Sequence, residues 1–95
     1  MLEKLDNEIE LIQRHMGVLQ AVVKNGPIGI MKLTDVLHDS QHHVRYSLRV
    51  LEQMGYIQAT TSGAIATEKA FIMLKGFDND LDALILKLRQ LHTEE

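Results

Sequence analysis

The chain contains no cysteine, a single proline and only 4% aromatic residues in 95 positions. Without cysteine, a disulfide framework, a thiolate metal site and a cysteine nucleophile are all excluded, and the composition fits a reducing interior. No apolar run is long enough to span a bilayer. The amino terminus, MLEKLDNEIE, lacks the basic start and apolar block of a secretory signal, so the expected location is cytoplasmic. Catalytic signatures are missing as well. Gly26-Pro27-Ile28-Gly29 is no phosphate loop, and Ser40 and Ser62 stand outside any glycine elbow. Asp78, Asp80 and Asp82 are spaced by two, which scatters them around a helix start, where they complement the positive end of the dipole. An enzyme is not expected, and no cofactor is implied.

What is present is ordinary in amount and uneven in placement. Apolar residues make up 45% and charged residues 24%, as in a soluble globular chain, and the length suits one domain spanning 1–95. The net charge is −3, which argues against a simple polyanion binder. Lys4 stands against Glu3, Asp6, Glu8 and Glu10 at one end, and Lys87 and Arg89 against Asp78, Asp80, Asp82, Glu94 and Glu95 at the other. Between them, 11–77 carries seven basic residues against Asp35, Asp39, Glu52 and Glu68. A mildly basic centre lies between two acidic ends.

Periodicity then divides the chain. Leu2, Leu5, Ile9, Ile12, Met16, Leu19 and Val23 recur at alternating steps of three and four and predict a long helix over 1–25. Gly17 interrupts the stripe, at a cost of about 1 kcal/mol relative to alanine, and Asn25-Gly26-Pro27 stops the helix. A short helix is predicted over 30–38, with Ile30, Leu33 and Leu37 on one face and Val36 beside it. Asp39 or Ser40 caps the next helix, 41–54, which ends before Gly55. The period changes to two in Tyr56–Thr60, turns at Thr61-Ser62-Gly63 and returns in Ala64–Ala66. Thr67 caps a further helix that Gly76 breaks or ends. A last helix over 78–92 carries Leu81, Leu84, Leu88 and Leu91. The fold class is mainly α with a small β-hairpin, an α+β arrangement.

The stretch SQHHVRYSLRVLEQMGYI, Ser40–Ile57, is where function is sought. On a helix at about 100° per residue, Val44, Leu48 and Leu51 face one way. His42, Arg45, Tyr46, Arg49 and Gln53 face the other, and this stripe contains no acid. These residue types bond phosphates and base edges, arginine in bidentate fashion to guanine. A helix pair with a tight turn, followed by a hairpin, is the order in which a second helix enters a major groove.

From about Val18 to Gly76 the chain resembles winged helix-turn-helix transcription regulators, above all the multiple-antibiotic-resistance-regulator type and small single-domain archaeal regulators. KLTDVLHDSQHHVRYSLRVLEQMGYI resembles their helix-turn-helix, with Val44, Leu48, Leu51, Gly55 and Ile57 at the apolar and turn positions. Leu51–Ile57 resembles the exit into the wing, and Gly63–Ala70 the return strand and a Thr-x-Lys-Gly helix start, with Ala70 in place of the final glycine. The resemblance implies a winged-helix domain with additional terminal helices and a homodimeric, sequence-specific regulator on double-stranded DNA. Its recognition helix would be 41–54, its contacts Ser40, Gln41, His42, Arg45, Tyr46 and Arg49, and it would answer to an unidentified small-molecule or protein effector. The tip Thr60–Gly63 has no charge for a minor groove. Winged helices also serve as protein-interaction modules without DNA contact, and fold alone does not decide between the two.

Of the histidines, His42 and His43 are adjacent and point about 100° apart on a helix, a poor arrangement for chelating one ion. His38 and Asp39 lie across the turn, and His92 with Glu94 does not match a metal-sensing pattern. No metal site is expected. The stripes at 1–16 and 78–92 exceed what one small domain can bury and are expected to dimerise.

Overall fold

The computed structural model describes residues 1–93 and is mainly helical, with four helices and one two-stranded antiparallel hairpin. Helix α1 spans Glu3–Asn25 and runs unbroken through Gly17. Its first turn carries Glu3 and Asp6, which complement the positive helix end. Helix α2 spans Ile30–Leu37 and closes on His38, in the left-handed region at φ 52°, one residue short of the predicted end. Helix α3 spans Gln41–Gln53, with Ser40 rather than Asp39 as its cap: the Ser40 hydroxyl accepts from the His43 amide at 3.1 Å. That bond satisfies one of the amides a helix start leaves without an internal partner.

Strands β1, Ile57–Thr60, and β2, Gly63–Ala66, pair with Ile57 opposite Ala66 and Thr60 opposite Gly63. Ile28, in the α1–α2 connection, bridges to Ala64 through two backbone bonds of 3.1 and 2.8 Å. This close approach requires Gly63. It adopts φ +125°, and a Cβ there would lie 2.6 Å from the Ile28 backbone. Gly55 ends α3 at φ +85°. Lys69 from the following helix donates to the Met54 carbonyl at 2.8 Å and lies over the Tyr56 ring.

The carboxy-terminal region departs from the sequence expectation. One helix, α4, spans Glu68–Arg89 without a break at Gly76 and stops at Gln90, where two helices ending near residue 92 were predicted. A single internal glycine costs about 1 kcal/mol, which is less than the cost of nucleating a second helix. Thr67 caps α4 through the Ala70 amide and anchors it by donating to the Gly55 carbonyl at 2.6 Å.

The core lies between these elements. Val18, Leu19 and Val22 of α1, Leu33 of α2, Val44 and Leu51 of α3, Ile57, Ala64 and Ala70 are buried together. Each large aliphatic group so removed from water contributes about 1.5–3 kcal/mol. Every buried apolar residue falls between positions 18 and 70. The first four turns of α1 and the last four of α4 leave this core as two arms, and the molecule is 56 Å long but 27 by 20 Å across. Its radius of gyration, 15.4 Å, exceeds the roughly 12 Å of a compact domain of this length.

Candidate nucleic-acid interface

Helix α3 buries Val44, Ser47 and Leu51 and leaves Leu48 only partly covered. The inward face is therefore rotated from the predicted Val44–Leu48–Leu51 stripe towards Ser47. The reason is polar. Ser47 is fully buried, and its Oγ shares a 2.8 Å hydrogen bond with Nδ1 of His15 on α1. A hydroxyl buried with a partner loses little relative to water, whereas one without a partner costs about 1–3 kcal/mol. The His15 ring also lies 5.8 Å from the Tyr46 ring. Burial of the imidazole disfavours its charged form, and the Arg14 cation adds to this, so the His15 pKa is lowered from its ordinary value.

The outward side carries the predicted residues. Ser40, Gln41, His42, Arg45, Tyr46 and Arg49 are all exposed. Tyr46 is drawn towards α1 by its contact with His15, so it flanks the others rather than leading them. Among the described residues no carboxylate pairs with Arg45 or Arg49. Glu52 is exposed and lies seven residues after Arg45, within about 20° of it around the helix. The acid-free row consequently ends at Arg49, and the basic surface is the first two and a half turns of α3.

The entrance to α3 is held by a second polar group. Asp39 accepts from the Ser40 amide at 2.7 Å and bonds His43 Nδ1 at 2.9 Å. Arg14 Nε stands 3.7 Å from its other oxygen. The hydrogen bond with His43, then that from the Ser40 amide, lowers the Asp39 pKa. His43 is thus committed to Asp39, while His42 faces out. Among the described residues no group of three or more His, Cys, Asp or Glu is placed to hold a metal ion. At the hairpin tip the Thr60 hydroxyl donates to the Gly63 carbonyl at 2.6 Å and accepts from the Ser62 amide at 3.2 Å. Thr61 and Ser62 are left exposed. The Arg14–Asp39 and His15–Ser47 pairs were not foreseen. The only signal is that Arg14 and His15 sit on α1 beside the core-facing Val18 and Leu19, and nothing local names their partners.

Chemically, the outer side of α3 offers two guanidinium groups, an imidazole and an amide above an acid-free first turn, all free to donate. The sequence matches no known family model, and no curated protein is significantly similar to it.

Proposed function

We propose that the chain is a winged-helix, sequence-specific DNA-binding regulator of transcription that acts as a homodimer, with the amino-terminal half of α3 in the major groove. The observation that carries this reading is the row His42, Arg45 and Arg49, exposed and without an acid partner among the described residues. Arginines one turn apart that are not neutralised by their own chain are suited to bond a base edge and a phosphate. The positive end of α3, free of acids in its first turn, favours a phosphate nearby. Gln41 and the Ser40 turn lie at that end. The bonds from Asp39 and from Ser47 fix the helix against α1, and a rigid support is what a reading helix needs. The hairpin contributes little, since its tip has no cation.

The test is a fluorescence titration of the folded chain with DNA from its own promoter, over a range of salt. Wild type should bind, with affinity falling steeply as salt rises. Arg45→Ala/Arg49→Ala should lose affinity. A lost base contact costs about 1–3 kcal/mol, and a lost phosphate contact lowers the salt slope by about one. Unchanged affinity in the double variant, or no binding by wild type at low salt, would favour the protein-interaction reading, to which the acidic net charge and the uncharged tip belong.

A further inference from the structure

The two arms leave a groove of about 470 Å³ between Leu5, Ile9 and Ile12 of α1 and Leu81, Leu84 and Leu88 of α4. Its walls stand open to water: Ile12 is 49% exposed and Leu84 56%. The whole chain exposes 7331 Å², against about 5,500 Å² for a compact monomer of its mass. The excess, about 1,800 Å², is more than the roughly 800 Å² that each partner buries in a stable complex. Glu8 lines the groove, and Glu3, Asp6 and Glu10 on the same arm and Asp78, Asp80 and Asp82 on the other make both arms acidic, which repels nucleic acid and anionic lipid.

The charge order along α4 identifies the occupant. Asp80 and Asp82 lie before the centre of the apolar group Leu81, Leu84, Ile85 and Leu88, and Lys87 and Arg89 lie after it. Read backwards from a point between Leu84 and Ile85, acids meet bases and apolar positions meet apolar positions. We propose that a second copy of this chain docks its α4 antiparallel in the groove, about a two-fold axis passing between Leu84 and Ile85. At about 100° and 1.5 Å per residue, Asp80 lies on one flank of the stripe with Lys87, and Asp82 on the other with Arg89. A two-fold antiparallel pair keeps each flank on its own side. Asp80 therefore faces Lys87 of the second copy, and Asp82 faces Arg89, each within about 3 Å along the axis. The four ion pairs follow from symmetry, since an interface of this kind uses one patch twice. The two Ala70 residues then stand about 44 Å apart along the axis, so the two cores do not collide. This inference deepens the homodimer of the proposed function by naming its seam.

Because the chain has no cysteine, single introduced thiols report the register. Wild type should sediment as a dimer at micromolar concentration. Leu84→Cys should cross-link between copies on mild oxidation, because the two positions lie about 1.5 Å apart along the axis. Leu91→Cys should not, since those positions are about 20 Å apart. Lys87→Glu/Arg89→Glu should weaken the dimer at least about tenfold at low salt, and adding Asp80→Lys/Asp82→Lys should restore it. These sites lie outside the core, and circular dichroism confirms that each variant is folded. A monomeric wild type, cross-linking at both positions as a parallel pair requires, or no rescue by the second charge reversal would overturn the seam. DNA titration of wild type is scored separately. Binding with another seam leaves the proposed function standing, and this seam without DNA binding sinks that function alone.

Discussion

His15 and Ser47, 32 residues apart, form a polar link inside an otherwise apolar contact, and a double-mutant cycle measures what it contributes. Ser47→Ala removes a fully buried hydroxyl but leaves the partly exposed His15 able to bond water. The expected loss is that of a net hydrogen bond, about 0.5–1.5 kcal/mol. His15→Leu leaves the hydroxyl behind. Ser47 can turn to the carbonyl one turn back in its own helix, which holds the loss near about 1 kcal/mol rather than the full penalty of an orphaned group. The double variant loses the bond only once, so the coupling should be about 0.5–1.5 kcal/mol. Thermal unfolding resolves this, because 1 kcal/mol moves Tm by about 4–8 °C in a chain of this size. The pH dependence gives an independent readout. Since the folded state lowers the His15 pKa below its ordinary value of 6.5, the unfolded chain takes up the proton first as pH falls. The stability owed to a neutral His15 is complete above that value and declines as pH drops through the folded one. Wild type should therefore lose more stability than His15→Leu between about pH 7.5 and about pH 5.5. A coupling near zero together with parallel pH profiles would refute the reasoning.

Gly76 lies inside α4, and a Cβ there meets nothing within 4 Å, so Gly76→Ala should raise stability by about 0.5–1 kcal/mol in denaturant unfolding. Gly63→Ala should lower it by at least about 1–3 kcal/mol, because both the φ of +125° and the Ile28 backbone oppose a side chain. Leu33→Ala, at a site with no exposure, should cost about 2–5 kcal/mol, and Leu48→Ala less, since that side chain is only partly covered. Arg45→Ala should change stability by less than about 0.5 kcal/mol in the same unfolding measurement. A loss equal to that of Leu33→Ala would place Arg45 in a structural role rather than on a free surface.

The sequence alone determined the elements whose causes are local. The 3.6-residue period placed three helices, and the change to a period of two placed the hairpin. Ser40, Gly55 and Thr67 marked boundaries because capping and left-handed backbone depend on a few adjacent residues. It also put Arg45 and Arg49 on the outer side of α3, since their angle from Val44 is set within one helix. Tertiary structure decided the rest. The Leu2–Val23 stripe was legible as one surface, but of its residues only Leu19 is buried; Val23 is exposed, and the core takes Val18, Ala21 and Val22 from beside the stripe. Which end of a helix is covered depends on elements far along the chain. Gly76 looked like a boundary because propensity is judged one residue at a time, whereas α4 continues through it on both sides. Ser47 belongs to neither the apolar nor the basic face predicted for α3, and it is buried because His15, on a distant helix, supplies its hydrogen bond. Periodicity records that a side chain is apolar or polar, and the group that satisfies it is chosen by contacts that close only when the chain has folded.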